Sequence, residues 1–366
     1  MPMSEPSVVD DDIRFARRGD LMVVTLNRPR ALNALTLPMC RALDEGLRAW
    51  QADAAIAAVL IKGAGDRAFC AGGDIRWLHG VLTTEGAAAA CRFYALEYPM
   101  NARLHHFPKP WIALLDGITM GGGVGVSVHG SHRIVTERTL FAMPETGIGL
   151  FPDVGATFML PRLPGGLGLF LGLTGARLGA ADCLHAGIGT THVAADRLDE
   201  LEAVLATTPL REDPFAAVDA VLAAFRSDPG PAPLADLRER VDACFRQGSL
   251  PAVLAALHEE ASGWGAGQAE ELAGKSPTSL AVTFRQLCEG ATLDFDSAMR
   301  LEYRLVHRFM AGHDFREGVR ALLIDKDHRP RWCPDRLDDV SDAMVDGYFA
   351  PLAGGDLSLE QGRVAG

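Results

Sequence analysis

Two carboxylates stand out in FAMPETGIGLFPDVG, Phe141 to Gly155, where Glu145 and Asp153 have only apolar, glycine and proline neighbours apart from Thr146. An ionised carboxylate is costly to desolvate, so each is either paired structurally or kept for chemistry. Pro144 and Pro152 each fix a backbone torsion beside one of them, which stiffens the chain that would carry a general base. Two glycine-rich stretches offer a complementary chemistry. MGGGVGV, Met120 to Val126, follows the apolar run WIALLDGIT, and AFCAGGDI, Ala68 to Ile75, sets Gly72 and Gly73 before Asp74. Either alone reads as a tight turn or a close backbone approach. Together, two such strand exits can aim two main-chain N–H groups at one oxygen, as the developing oxyanion of a thioester requires.

The elements that must position these residues alternate between strand and helix. IRFARRGDLMVVTLNRP reads as two strands turning at Arg18-Gly19-Asp20. LTLPMCRALDEGLRAWQAD has helical spacing, with Leu35, Met39, Leu43, Leu47 and Trp50 on one stripe and Thr36 as its cap. AIAAVLIKGAG, WIALLDGI and the start of TLFAMPETGIGLFP read as strands, and LGLFLGLTG as a helix. This alternation points to an α/β fold. From Pro209 to about Lys275 the pattern turns helical and polar, broken by SDPGPAP at Ser227 to Pro233, and a mainly helical region follows. The stretch after Leu352 reads as a loose tail.

Composition sets the bounds. The chain has 366 residues, nearly half of them apolar, enough for one large domain or two modest ones. No apolar run reaches the roughly 20 residues of a membrane helix. The opening MPMSEPSVVDDDIR resembles neither a secretory leader nor an Arg-rich transit peptide, so a cytoplasmic location is expected. A formal charge of −12 argues against a nucleic-acid surface. Seven scattered cysteines without a C-x-x-C pair read as buried thiols, with no zinc site or other metal site.

Other chemistries fail on spacing. Gly125-Val126-Ser127-Val128-His129 has His where the nucleophile elbow of a serine hydrolase needs Gly. GGLGLFLG misses the dinucleotide-binding fingerprint, and His105-His106 reads as a surface loop.

LNRPRALNALT, AFCAGGDI, GITMGGGVG and MPETGIGLFPDVG, in this order and at about this spacing, resemble the crotonase (enoyl-CoA hydratase/isomerase) superfamily. EYPMN, SVHG, LPRL, KSPTSL, EYRL and GHDFREGVRALLIDKDHRPRW narrow the resemblance to its branch that hydrolyses the 3-hydroxyisobutyryl-CoA thioester in valine breakdown. The resemblance implies an α/β crotonase spiral of β-β-α units over residues 1–208 that carries the acyl-CoA site. A helical C-terminal region follows over 209–352, with 353–366 as the loose tail. It implies an oxyanion hole at the amides of Gly73 and Gly122, and an acyl site lined by Glu97, Gly122, Glu145 and Asp153, with Glu145 and Asp153 catalytic. Coenzyme A contacts, mostly through main chain, fall near Arg28, Ala31, Leu32, Ala71 and Asp74. The implied partner is an acyl-CoA substrate, with no further cofactor, no nucleic acid and no membrane; many relatives self-associate, so a homo-oligomer is compatible.

One departure separates the branches. Hydratases of the superfamily carry one catalytic glutamate just after the glycine triplet and another in the P-E word; here Gly125 stands at the first place and Glu145 at the second. Asp153 occupies a place that is glycine in typical hydratases. Hydration divides water delivery and carbon protonation between two carboxylates, and Gly125 can do neither. The pattern favours attack on the thioester carbonyl, with Glu145 as base or nucleophile, Asp153 orienting the 3-hydroxyl or the water, and Glu97 a further polar contact. The alternatives are an enoyl-CoA hydratase or isomerase and a non-catalytic acyl-CoA binder.

Overall fold

Gly19, at φ +63°, turns β1 (Ile13–Arg18) into β2 (Leu21–Leu26), and Arg18 pairs with Leu21 across the two-residue turn expected there. A computed structural model supplies these coordinates and describes residues 11–359. Most of the opening segment read for targeting signals, and the tail beyond residue 359, lie outside the described residues. The other strands are β3 (Ala58–Gly63), β4 (Ala68–Cys70), β5 (Trp111–Leu115), β6 (Ile118–Met120), β7 (His132–Val135), β8 (Leu140–Ala142) and β9 (Thr191–His192). One sheet has the order β1-β2-β3-β5-β7-β9, parallel from β2 onward; the other is β4-β6-β8. Successive pairs β3-β4, β5-β6 and β7-β8 thus place their first strand in the large sheet and their second in the small one. The fold is mixed α/β and built on a repeated strand pair, in line with the expected class.

The chain divides into two units. Residues up to Gly73, Arg103–Phe141 and Leu178–Pro231 form the first. Asp74–Ala102, Ala142–Arg177 and the chain from Ala232 form the second. This revises the boundary expected at residue 208. Helices Leu198–Thr207 and Pro214–Phe225 belong to the first unit because Leu201, Leu205, Val218, Leu222 and Phe225 pack into one apolar cluster with Leu21, Val23, Leu60, Ile112 and Ile134 of its sheet. SDPGPAP lies where the chain leaves that unit.

The helix read from LTLPMCRALDEGLRAWQAD spans Leu37–Ala52, and the Thr36 hydroxyl accepts the Met39 N–H as its cap. Leu167–Thr174 is the helix expected from LGLFLGLTG and ends at Gly175, φ +69°. The sequence reading passed over Ile75–Thr84 and Ala87–His105; the second stays helical through Pro99, and His105 is its last residue instead of part of a surface loop. The tail expected to be loose differs as far as residue 359: Arg304 donates to Asp356 at 2.7 Å and Leu357 is buried.

The glycine run packs tightly against its neighbour. Gly122–Gly125 forms a four-residue helix after β6, and a Cβ on Gly123 would come within 2.2 Å of the Cys70 carbonyl oxygen on β4. Gly80, on helix Ile75–Thr84, has open space where its Cβ would be. Gly123→Ala is therefore expected to cost about 3 kcal/mol or more, and Gly80→Ala to stabilise by up to about 1 kcal/mol. Urea unfolding of the two variants checks this; equal midpoints would refute the close approach at Gly123.

Candidate active site

The first unit supplies main-chain donors. Gly72 has φ +115°, a conformation that favours glycine, and a Cβ there would lie 3.4 Å from the Met120 oxygen and 3.6 Å from the Gly122 nitrogen. The two strand exits expected to converge are thus neighbours. Gly122 opens its helix, so its N–H has no carbonyl one turn back to bind. The stretch from Arg28 to Leu35 is knitted to the same exit: Ala71 donates to the Leu32 carbonyl at 3.0 Å and Leu35 to the Gly72 carbonyl at 2.8 Å. Leu32 and Asn33 both take left-handed φ, at 52° and 56°. Buried Asn33 holds them there, donating to the carbonyls of Ala64 and Ala68 at 3.0 and 2.8 Å and accepting from the Arg28 N–H at 3.0 Å.

Of the residues expected near coenzyme A, Arg28, Ala31, Leu32 and Ala71 therefore share one backbone-linked surface. The Arg28 guanidinium is engaged by Asp12 at 3.2 Å and the Ala34 carbonyl at 2.8 Å. Asp74 caps helix Ile75–Thr84 by accepting from the Trp77 N–H. Ser127, the failed nucleophile, is buried and donates to the Gly123 carbonyl at 2.7 Å.

The second unit supplies carboxyl groups. Glu97 comes from helix Ala87–His105, Glu145 opens the turn Glu145–Ile148 after Pro144, and Asp153 follows Pro152. All three are at most 5 % exposed. The Tyr98 hydroxyl donates to Asp153 Oδ2 at 2.8 Å. The turn that bears Glu145 is gripped on several sides. Thr146 donates through its hydroxyl to the Leu173 carbonyl, its own carbonyl accepts from the Ser276 N–H, and a Cβ on Gly149 would lie 2.3 Å from the Asp314 oxygen. Oε1 of Glu97 and Oε2 of Glu145 are buried and make no hydrogen bond among the described residues.

A fourth carboxyl, Glu302 on helix Phe295–Ala311, is fully buried, acts on Glu97 and Glu145, and is itself acted on by Asp153. Burial pushes Asp153 up to about 7, against the pull of the Tyr98 hydrogen bond. Burial, then the Asp153 charge, raises Glu302 to about 8. The same two causes lift Glu97 and Glu145 well above the ordinary carboxylate range. Asp153 thus ionises before Glu302 as pH rises, and its charge favours the protonated forms of Glu97, Glu145 and Glu302.

Sequence reasoning singled out Glu145, Asp153 and Glu97, which the fold gathers with one another. It missed Tyr98, Glu302 and Gln286, whose partners are remote in the chain. It also missed Asn101, one helical turn beyond Glu97, whose buried amide nitrogen and oxygen both lack partners among the described residues. Glu302 left a signal: it interrupts the apolar stripe of Ala298, Leu305 and Phe309 at helical spacing.

Residues 21–349 match a family described as Enoyl-CoA hydratase/isomerase. A Danio rerio protein named 3-hydroxyisobutyryl-CoA hydrolase, mitochondrial, is 46% identical over 356 residues, covering 96% of this chain and 93% of that protein. The Homo sapiens protein of the same name is 41% identical over 360 residues, covering 98% and 93%. A crystal structure of a carnitinyl-CoA dehydratase from Mycobacterium thermoresistibile gives a TM-score of 0.88 at 39% identity, over 96% of this chain and 99% of that one. A crystal structure of an enoyl-CoA hydratase from Rhodobacter sphaeroides 2.4.1 gives 0.87 at 38%, over 95% and 99%.

The raised proton affinity of Asp153 has a stability consequence. Its ordinary value is 3.8, so the unfolded chain ionises first, and native stability falls as pH climbs from about 4 to about 7. Asn at this position cannot ionise yet still accepts from Tyr98. Asp153→Asn is expected to raise Tm by a few degrees at pH 8 and to leave it near wild type at pH 4. Melting curves across that range test it, and a gain that is the same at both pH values would refute the buried-charge account.

Proposed function

The chain belongs to the enoyl-CoA hydratase/isomerase family, and within it we propose that the protein hydrolyses short 3-hydroxyacyl-CoA thioesters, 3-hydroxyisobutyryl-CoA first among them. The observation that carries this reading is the placement of carboxyl groups: Glu97, Glu145 and Asp153 are buried and the Asp153 charge acts on both glutamates, while position 125 after the glycine triplet has no side chain. Hydration needs a second carboxylate at that place; acyl transfer to water needs a polarised carbonyl and one base. The names of the curated relatives point the same way, and those of the solved neighbours point to the hydratase alternative.

In the proposed reaction the N–H groups of Gly73 and Gly122 hold the thioester oxygen. Glu145 takes a proton from water as the water oxygen bonds to the carbonyl carbon. The tetrahedral adduct then expels the coenzyme A thiolate, which regains that proton. In the variant route the Glu145 carboxylate attacks the carbonyl carbon and the C–S bond breaks, giving a mixed anhydride and the coenzyme A thiolate; water then opens the anhydride to the free acid and Glu145, whose proton passes to the thiolate. Asp153 orients the 3-hydroxyl or the water, and Glu97 adds a polar contact. Coenzyme A binds along the Arg28 to Leu32 and Ala71 to Asp74 surface as part of the substrate, and no further cofactor enters. Removing one oxyanion donor costs roughly 3 to 4 kcal/mol in comparable sites.

The compartment is a separate proposal. Seven free cysteines suit a reducing environment, and we retain a cytoplasmic setting although the relatives are named mitochondrial. Among the described residues no helix is long and apolar enough to cross a membrane. A homo-oligomer, as in many relatives, is also retained.

Thiol release from 3-hydroxyisobutyryl-, 3-hydroxypropionyl- and crotonyl-CoA, with crotonyl absorbance followed in parallel, tests the activity. Thiol is expected from the two hydroxyacyl substrates. Loss of crotonyl absorbance without thiol would establish a hydratase, and tight binding without turnover a non-catalytic binder. Glu145→Ala should remain folded and lose about 10²-fold or more in kcat. Because Glu145 must lose its proton to act as base, and burial and the Asp153 charge lift its proton affinity well above the ordinary carboxylate range, kcat/KM should keep rising with pH beyond that range. Heavy-isotope oxygen appearing in Glu145 after a single turnover in labelled water would select the anhydride route.

A further inference from the structure

Glu302 and Gln286 lie outside every role assigned so far, yet both reach the turn that carries Asp153. Oε2 of Glu302 accepts the Gly155 N–H at 2.8 Å and Oε1 accepts the Thr157 N–H at 2.9 Å. The Thr157 side chain adds a third hydrogen bond to the same carboxylate. From helix Pro277–Gly290, buried Gln286 donates through Nε2 to the Pro152 carbonyl and to Thr157 Oγ1, each at 2.7 Å. These bonds bracket Asp153 on both sides.

The turn between them needs such restraint. Val154 and Gly155 take left-handed φ in succession, at 53° and 92°, and for a β-branched residue this is a strained conformation that persists only when its surroundings fix it. The helix that follows, Ala156–Met159, has only four residues, and a surface Ser or Asp would cap it without burying a charge. A fully buried carboxyl group, whose proton affinity burial and the Asp153 charge raise to about 8, is a costly means to that end. What it adds is geometry, because two fixed acceptor oxygens specify two N–H directions at once.

We propose that Glu302 and Gln286 are positioning residues, a two-point clamp that sets where the Asp153 carboxyl stands for the reaction. The proposal rests on the reading of Asp153 as an acyl-site residue. Glu302→Gln keeps size and shape but turns one acceptor into an NH₂ group facing an N–H. It is expected to lower kcat for thiol release at least about 10-fold while KM stays within about threefold, the signature of an interaction lost in the transition state. On an Asp153→Asn background the same substitution should cost less than about threefold, since a residue acting through another loses its effect when that other is gone. Amide exchange at Gly155 and Thr157, slow in the wild type, should accelerate in the variant. If Glu302→Gln does not fold, Gln286→Met carries the same expectations.

Multiplying losses in the double variant, a KM rise at constant kcat, or unprotected Gly155 and Thr157 amides in the wild type would overturn the clamp. A wild-type protein that releases no thiol overturns the hydrolase reading instead, and amide exchange then judges the clamp by itself.

Discussion

Four carboxyl groups buried within electrostatic reach of one another cannot all be charged. Glu97, Glu145, Asp153 and Glu302 each take burial as the largest influence on their proton affinity. For three of them the next influence is the negative charge of Asp153. Asp153, raised to about 7 with the Tyr98 phenol donating to it, gives up its proton before Glu302, raised to about 8. Several contacts of the second unit hold the chain around these groups. Prolines stiffen the chain beside two of them, Phe151 packs on Phe309, and the turn of Glu145 is fastened to Leu173, Ser276 and Asp314.

The glycines of the first unit answer to a different constraint. Gly123 is required because β4 comes too close for a side chain, and Gly72 because the chain leaves β4 with positive φ. Gly122 has neither excuse in the same degree; its significance is that it starts a helix immediately after a strand, which leaves its N–H without an intrahelical acceptor. Structural glycines thus flank an N–H that no intrahelical carbonyl takes. Asn33 makes the complementary contribution, tying the Arg28 to Leu35 stretch to the carbonyls of Ala64 and Ala68 so that two left-handed residues are held in place.

Much of this was legible from local pattern. The hairpin at Gly19, the Thr36 cap, the buried parallel strands and the lone charges at Glu145 and Asp153 all depend on neighbours a few positions away. Tyr98, Gln286 and Glu302 were not, because their meaning lies in partners 55, 134 and 147 residues distant. The unit boundary was misplaced for a similar reason: helices Leu198–Thr207 and Pro214–Phe225 look like the start of a helical region until their apolar faces meet the sheet. Glu302 is the instructive case. A charge on the apolar stripe of an amphipathic helix can be recognised by spacing alone, but only the fold shows that it faces the Gly155 and Thr157 amides.

The choice between adding water to a carbon–carbon double bond and to a thioester carbonyl turns on where carboxyl groups stand in a shared fold. Protonating carbon requires an acid aimed at that carbon, and with Gly125 after the triplet the first unit has no side chain there to provide one. Expelling a thiolate makes a smaller demand. The leaving group is already a weak base, so the barrier lies mainly in placing negative charge on the carbonyl oxygen, a task suited to preorganised amides. On the proposed reading the buried carboxyls of the second unit need only furnish one base, and any member that keeps its proton remains a hydrogen-bond donor.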